Sequence, residues 1–224
     1  MTGAVAAEVV AARLAAVRER ITAAGGDLTS IRIIGVTKGV GAATVAAALA
    51  AGLTELGENY AQELRAKAAA LETQPPPRWH FLGRLQRNKV ASLAGLVSCW
   101  QSIDRIELAE AVARRAPGAH VLVQVNVSGE AQKGGVAPAS AAALVEGCGG
   151  AGLVVDGLMT VAAAGDPDGA RAGFARLAAL ADQLGLRERS MGMTADLEAA
   201  VAEGATMVRV GTALFGPRLR TGTR

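Results

Sequence analysis

The sequence predicts an α/β fold, a single (β/α)8 TIM barrel preceded by an extra N-terminal helix. Apolar runs alternate with amphipathic segments eight times along the chain. Alternation of this kind indicates parallel strands joined by right-handed helical crossovers. No long insertion interrupts the eight units, which favours a closed barrel over an open doubly wound sheet. The length of 224 residues suits one such barrel.

The predicted elements follow one another in a regular order. Val9, Leu14 and Val17 recur at helical spacing, and Gly25 follows, which predicts a helix over about 4–24. "IRIIGV" at 31–36 predicts a strand buried on both faces. The other predicted strands lie at about 53–57, 79–82, 96–100, 120–127, 153–159, 188–192 and 206–211. The helices between them lie at about 42–51, 59–72, 86–95, 104–115, 138–147, 167–184 and 195–203. The barrel thus covers about 31–218, and we expect residues 1–224 to form one domain.

Composition excludes several classes of protein. Hydrophobic residues make up 51% of the chain, but no segment reaches the roughly 18 apolar residues of a membrane span, so we expect a cytoplasmic protein without membrane contact. Cys99 and Cys148 lie far apart among small or apolar residues, which indicates reduced, structural thiols. A net charge of +3 with 3% aromatic residues argues against nucleic acid as a partner. The chain has two histidines and no carboxylate at ligand spacing, so we expect no metal site.

Three stretches are predicted to meet at the carboxyl ends of the strands, where barrel active sites form. Lys38 lies just past strand one, which neighbours strand eight when the barrel closes. Gly211 and Thr212 follow strand eight and can offer a backbone N–H and a hydroxyl to a phosphate. Thr194 follows strand seven and is expected to be the N-cap of the next helix, facing the same place. These stretches predict an amine beside an anion site.

A lysine beside a phosphate has two common uses. It can bind the phosphate as a point charge, or it can form a Schiff base with a phosphorylated carbonyl compound. Arg209 lies on the same side of strand eight as Gly211, so it is expected to point into the mouth and to lower the pKa of Lys38. Asn59 follows strand two and is placed to hydrogen-bond a group near Lys38. The residues alone leave both uses open.

Other polar residues allow two interpretations. The basic loop 84–89 is either an anion-binding loop or the solvated start of a helix, and Lys133 either reaches the mouth or belongs to a surface loop. His80 fits a core histidine with satisfied hydrogen bonds. Glu58 and Gln62 are expected to cap the helix after strand two.

Seven stretches, read in order, resemble one protein family. They are VTKG, LGENYAQE, WHFLGRLQRNK, SIDR, VLVQVNVSGEAQKGG, GLMTV and MGMTADLEAAVAEGATMVRVGTALFG. The chain resembles the pyridoxal phosphate homeostasis proteins, the YggS/PROSC family, from about residue 31 to 218. These are similar in fold to the N-terminal barrel of alanine racemase. The family often has serine where Thr194 stands, and proline near Gly39, Val40 and Arg84.

The resemblance implies a carrier and regulator of free pyridoxal 5'-phosphate (PLP), held on Lys38 as an internal aldimine. It implies that PLP and related B6 vitamers are the partners, and it leaves open transient contact with PLP-dependent apo-enzymes. We expect a monomer. The role of Lys133 as a second contact for the vitamer is a further hypothesis.

The resemblance also assigns roles around the cofactor. Thr194, Gly211 and Thr212 would hold the phosphate. Arg209 would face the pyridine nitrogen, and Asn59 would lie near the ring substituents. Contacts from the 84–89 loop are not assigned, because the chain departs from the family pattern there.

Two features argue against catalysis. Racemisation needs an acid or base on each face of the substrate carbon, and the single tyrosine, Tyr60, falls in the predicted helix after strand two. Arg209 cannot accept a proton, so it does not make the ring the electron sink that a carboxylate would make. We therefore expect no catalytic residues, although weak racemase activity is compatible with the sequence. The alternatives are a PLP-dependent amino-acid racemase and a class I aldolase-type barrel in which Lys38 binds a sugar phosphate.

Overall fold

Eight parallel strands form a closed barrel in the computed structural model, which describes residues 5–71, 76–130, 132–162 and 166–217. The strands are β1 Arg32–Val36, β2 Glu55–Glu58, β3 Arg78–Phe81, β4 Val97–Ile103, β5 His120–Gln124, β6 Val154–Met159, β7 Glu188–Ser190 and β8 Met207–Val210. The helices are α1 Ala7–Ala23, α2 Ala42–Ala50, α3 Ala61–Ala70, α4 Arg87–Val90, α5 Ile106–Arg115, α6 Ala141–Gly150, α7 Pro167–Gln183, α8 Leu197–Ala202 and α9 Thr212–Phe215. The predicted fold class, with its N-terminal helix, is confirmed. The predicted ends at residues 4, 72 and 218 lie outside the described residues.

The barrel closes because β1 pairs with β2 on one side and with β8 on the other. Side chains alternate between the two sides of each strand, so one set fills the interior and the other packs against the helices. The interior apolar cluster consists of Ile34, Cys99, Leu122, Met159 and Met207. The larger apolar cluster lies between the strands and the surrounding helices.

Helix α1 covers the outside of the barrel and contacts α2, α8 and α9. Its buried residues are Val10, Leu14, Val17 and Ile21. The predicted apolar face included Val9, but Val9 is 42% exposed. The spacing of four, three and four residues from position 10 keeps one helical stripe toward the barrel, and position 9 lies outside that stripe.

Strand β4 continues three residues beyond its predicted end at 100. The added residues include two polar ones, Gln101 and Ser102, and both are buried. Gln101 stays in the strand because its amide bonds inward to His80 and Ser190. A polar group inside a barrel is tolerated when it is hydrogen-bonded.

Strand β5 and helix α4 are among the elements that are shorter than predicted. The strand predicted over 120–127 ends at Gln124, because Asn126 N donates to Val136 O and the chain leaves the barrel there. The helix predicted over 86–95 ends at Val90. Beyond it, Ser92 N and Leu93 N bond to carbonyls three residues back, which replaces the α-helix with turns.

Both cysteines are buried and free, as the sequence predicts. Burial raises the pKa of the Cys99 thiol to about 12 and that of Cys148 to about 11, so both stay protonated at neutral pH. Within the described ranges, no helix is both long and apolar enough to cross a bilayer.

We predict that Leu14→Ala destabilises the protein by about 2–5 kcal/mol, because Leu14 is 1% exposed between α1 and the barrel. Urea unfolding measures the change. Val9→Ala, on the exposed side of the same helix, is the matched control and should change the free energy of unfolding by less than about 0.5 kcal/mol. Equal effects of the two substitutions would contradict the packing of α1 described above.

Candidate functional site

The carboxyl ends of β1 and β8 lie side by side. Gly35 is the register partner of Val210, so the residues that follow these two strands emerge together. Lys38 lies in the turn after β1, and Gly211 directly precedes α9. A Cβ atom placed on Gly211 would lie 3.4 Å from the carbonyl oxygen of Val36, so the two chain segments are in contact. The structure therefore brings these two predicted site stretches to one corner of the barrel mouth.

Thr194 joins this corner from the loop after β7, but not as an N-cap. Helix α8 begins at Leu197 with Asp196 as its N-cap, so the predicted capping role of Thr194 is wrong. The Thr194 hydroxyl instead accepts a hydrogen bond from Ala213 N, in the first turn of α9, at 3.4 Å. The reason is that the loop continues past Thr194 for two residues before it turns into the helix. The hydroxyl thus lies beside Thr212, the neighbour of Ala213.

Helix α1 forms hydrogen bonds with this corner from the outside of the barrel. Arg20 donates to the backbone oxygen of Thr194 at 2.9 Å and forms two hydrogen bonds with Glu198, at 2.6 and 2.8 Å. Arg13 donates to Leu214 O in α9 at 3.2 Å. The extra N-terminal helix therefore holds both the loop after β7 and the segment after β8.

Arg209 lies inside the barrel with its guanidinium fixed. It is 5% exposed and donates to Ser190 Oγ at 2.7 Å and to Thr160 O at 2.6 Å. Burial lowers the pKa of Arg209 to about 10, and nearby Asp196 acts in the opposite direction. The group therefore stays positively charged at neutral pH and can donate hydrogen bonds but not accept them.

A chain of hydrogen bonds continues from Ser190 across the barrel interior. Ser190 Oγ donates to Gln101 Oε1 at 2.6 Å, and Gln101 Nε2 lies 2.8 Å from His80 Nδ1. His80 Nε2 lies 2.5 Å from Glu55 Oε2 at the other end of the barrel. His80 is thus the satisfied core histidine that the sequence predicts. Ser190 and Gln101 were missed, although a polar residue inside an apolar strand is a signal that could have indicated them.

A buried ion pair lies next to the turn that contains Lys38. Lys67 Nζ of α3 lies 2.5 Å from Glu58 Oε1, with side-chain exposures of 6% and 0%. Glu58 also accepts hydrogen bonds from the Thr37 hydroxyl at 3.2 Å and from the backbone N–H groups of Asn59 and Tyr60 at 2.6 and 3.2 Å. The expected capping role of Glu58 is wrong: α3 begins at Ala61 with Tyr60 as its N-cap, and Glu58 accepts from the two backbone N–H groups before the helix. Sequence reasoning missed Lys67, since a lysine on an amphipathic helix usually faces solvent.

Asn59 has a side-chain oxygen suited to a ligand. Its Oδ1 is buried and has no hydrogen-bond partner among the described residues. Buried polar atoms are normally satisfied, so an orphaned one at the barrel mouth fits a site that takes a hydrogen-bonding ligand. Gly83 packs against this residue so closely that a Cβ there would lie 1.9 Å from Asn59 O.

The 84–89 loop lies between two basic clefts. A cleft of about 800 Å³ is lined by Asn59, Tyr60, Arg65, Arg84 and Lys89, among others. An adjoining cleft of about 730 Å³ is lined by four arginines, which are Arg87, Arg105, Arg114 and Arg115, together with neighbouring residues. The loop therefore places Arg84 and Lys89 in the same cleft as Asn59.

Two further expectations concern Lys133 and metals. Lys133 Nζ lies 2.5 Å from Glu130 Oε1, and the lysine side chain is 19% exposed. This pair neutralises the charge of Lys133, and its role toward a vitamer stays a hypothesis. Across residues 5–71, 76–130, 132–162 and 166–217, no three His, Cys, Asp or Glu side chains form a group that could hold a metal ion.

We predict that Gly83→Ala displaces Asn59 and destabilises the protein by about 1–3 kcal/mol, because the new methyl group overlaps a backbone oxygen. Thermal unfolding measures the loss. Gly95→Ala is the control, because a Cβ at Gly95 would meet nothing within 4 Å. A Gly83→Ala protein as stable as the Gly95→Ala protein would contradict the close approach.

We also predict that Lys67→Met costs about 3–5 kcal/mol of stability, because it leaves the fully buried Glu58 carboxylate without its cation. Chemical unfolding tests this. Arg114→Met breaks an exposed pair with Glu110 at 3.8 Å and should change stability by less than about 0.5 kcal/mol. Similar losses for the two variants would show that the Lys67–Glu58 pair is not buried as described.

Comparisons with known proteins agree with this fold. Residues 12–218 match the family described as alanine racemase, N-terminal domain. The chain is 43% identical to the pyridoxal phosphate homeostasis protein of Pseudomonas aeruginosa over 223 residues, which cover 95% of each chain. It is 43% identical to the protein of the same name from Deinococcus radiodurans over 211 residues, 92% of this chain and 99% of the relative.

A solved structure is similar over nearly the whole chain. It is PipY of Synechococcus elongatus with PLP bound, at a TM-score of 0.83 and 35% identity, covering 92% of this chain and 100% of PipY. D-threo-3-hydroxyaspartate dehydratase from Delftia, at 19% identity and a TM-score of 0.69, shares the fold alone. The chain therefore belongs to the pyridoxal phosphate homeostasis proteins and carries the alanine racemase N-terminal domain.

Proposed function

We propose that this chain binds PLP covalently through Lys38 at the barrel mouth and acts in PLP homeostasis as a carrier without strong catalysis of its own. The observation that carries the proposal is the pairing of β1 with β8, which sets the turn of Lys38 beside Gly211. The names of the relatives and the PLP bound to PipY support it, because the chain covers nearly the full length of those proteins.

The residues at this corner suit the parts of the cofactor. Thr194, Gly211 and Thr212 would hold the phosphate through a hydroxyl and backbone N–H groups. Arg209 would face the pyridine nitrogen, and the orphaned Oδ1 of Asn59 would accept a hydrogen bond from a ring substituent. PLP supplies an aldehyde, and its condensation with the neutral amine of Lys38 replaces the C=O bond by a C=N bond and releases the oxygen as water.

The electrostatics of the site support a carrier. Arg209 is charged and is fixed by its bonds to Ser190 and Thr160, so it can donate a hydrogen bond to the pyridine nitrogen but cannot accept a proton from it. A racemase would also need a second acid or base opposite Lys38. Tyr60 is not inside α3 as expected but at its N-cap, and it is 57% exposed. This arrangement disfavours carbanion chemistry.

The same proposal covers the compartment, the oligomeric state and the partners of the protein. We propose one cytoplasmic domain spanning 1–224 that is monomeric and meets PLP-dependent apo-enzymes transiently when it delivers the vitamer. The two free, buried cysteines are consistent with a reducing compartment. A basic cleft lies beside Asn59, and its cations would attract a phosphorylated vitamer.

The decisive variant is Lys38→Ala. We expect the unchanged protein, mixed with PLP, to gain a visible absorption band that borohydride converts into a stable adduct. Lys38→Ala should lose the adduct but keep weak affinity for PLP through the phosphate contacts. Lys89→Ala removes a lysine of the adjacent cleft and is the control, which should form the adduct as the unchanged protein does.

Three results would contradict the proposal. A protein that takes up no PLP would remove the cofactor assignment and favour an aldolase-type barrel. An adduct that persists in Lys38→Ala would show that the lysine is wrongly assigned. Loss of the α-hydrogen of an added L-amino acid, with formation of its D-enantiomer at enzymatic rates, would favour a racemase.

A further inference from the structure

The two peptide groups that flank Lys38 are both hydrogen-bonded to helix α3. Lys67 Nζ donates to the carbonyl oxygen of Thr37 at 2.6 Å, and this carbonyl belongs to the peptide group before Lys38. Gly39 N donates to Glu63 Oε2 at 2.8 Å, and this N–H belongs to the peptide group after Lys38. The φ and ψ angles of Lys38 are the rotations between these two groups. Fixing both groups therefore fixes the direction in which the Lys38 side chain leaves the backbone.

Both contacts end on one ion pair. Glu63 Oε2 lies 2.8 Å from Lys67 Nζ, one turn apart on α3, so the acceptor for Gly39 and the donor to Thr37 hold each other. Lys67 is in turn held by Glu58, so all three of its ammonium protons have acceptors. We call Glu58, Glu63 and Lys67 together the α3 clamp.

The turn that contains Lys38 is shaped for this clamp. Gly39 has a φ of +72°, a left-handed conformation that glycine adopts without strain. Val40 N donates to Thr37 O at 2.9 Å and closes the turn. Burial acts to raise the pKa of Glu63, but hydrogen bonds from Lys67 and Gly39 outweigh it and the pKa is lowered. The Glu63 carboxylate is therefore ionised at neutral pH and accepts both bonds.

We infer that Glu63 is a positioning residue for the covalent capture of PLP: through the α3 clamp it holds the backbone on both sides of Lys38. This inference rests on the function proposed above and deepens it. It assigns a task to residues outside the proposed phosphate site and outside the hydrogen-bonded chain that begins at Arg209. A nucleophile held in place reacts faster than one that must first be ordered. Lys38 would keep its chemistry without the clamp but lose its fixed direction.

Glu63 is the clamp residue best suited to a test. Its side chain is 34% exposed, whereas Glu58 and Lys67 are buried and their loss threatens folding. A single oxygen, Oε2, accepts from both Gly39 and Lys67. The amide oxygen of glutamine can take the same two bonds without the charge, so Glu63→Gln separates the positioning role from a charge effect. Glu63→Ala removes the acceptor altogether.

The experiment compares Glu63→Ala, Glu63→Gln and the unchanged protein. Glu110→Ala is the matched control, since it breaks another glutamate–cation pair four residues apart on a barrel helix, at 3.8 Å. Three quantities are measured well below the unfolding temperature. They are the rate of the borohydride-fixable adduct with PLP, the affinity for 4'-deoxypyridoxine 5'-phosphate, which has no aldehyde, and amide hydrogen exchange of Gly39 in the ligand-free protein.

We expect Glu63→Ala to slow adduct formation by about tenfold, the size of effect that loss of one ordered backbone position allows. Gly39 exchange should speed up in the same variant, while affinity for the deoxy analogue stays within twofold of the unchanged protein. Glu63→Gln and Glu110→Ala should behave as the unchanged protein in all three measurements. A defect in folding alone would lower the analogue affinity too and would not be rescued by glutamine.

The outcomes separate the two proposals. If the unchanged protein forms no adduct, the proposed function fails, and the task of Glu63 fails with it. If the unchanged protein forms the adduct and Glu63→Ala forms it equally fast, the inference about Glu63 is overturned while the proposed function stands. A Glu63→Gln protein as slow as Glu63→Ala would overturn it as well, because charge and not positioning would then set the rate.

Discussion

The parallel pairing of β1 with β8 is the constraint on which the site depends. These strands lie at opposite ends of the described barrel sequence, and their register brings Gly35 beside Val210. The turn of Lys38 and the segment at Gly211 meet only because the barrel closes there. Helix α1 lies across this corner, and two of its arginines, Arg20 and Arg13, hold the loop after β7 and the helix after β8. The extra helix thus secures the corner that the proposed function needs.

Buried charges support the site from two directions. Arg209 is held from within the barrel by a hydrogen-bonded chain that reaches Glu55 at its far end. Lys38 is held from outside by the α3 clamp, whose innermost carboxylate is fully buried. Burying an ionic group costs free energy unless the group is paired and hydrogen-bonded. The Arg209 hydrogen bonds and the α3 clamp therefore fix the geometry of the site at the expense of stability. Rigid support of this kind suits a site that holds a cofactor in place.

The sequence predicted the fold well because its signals are local and repeated. Apolar strands and amphipathic helices recur eight times, and the closed order follows from their number. The predicted ends of elements were inaccurate where polar residues enter the barrel, as Gln101 does. They were also inaccurate where hydrogen bonds to another segment end a strand, as they do after Gln124. Such ends depend on contacts between distant segments, which a local pattern does not contain.

The site was predictable in part. Lys38, Thr194 and Gly211 follow neighbouring strands, and strand order alone brings them to one end of the barrel. The α3 clamp was not predictable, because the pairing of Lys67 with Glu58 requires knowing which face of α3 turns toward the barrel. The capping role expected of Thr194 was wrong for a similar reason, since only the loop geometry shows that its hydroxyl meets Ala213.

The most direct test of the account is to map where PLP is fixed. The chain has four lysines, which are Lys38, Lys67, Lys89 and Lys133. The protein is reduced with borohydride in the presence of stoichiometric PLP and digested, and the phosphopyridoxyl group is located by mass spectrometry. The account predicts that the group lies on Lys38. Fixation chiefly on Lys89 or Lys133, or a protein that carries no group, would contradict it.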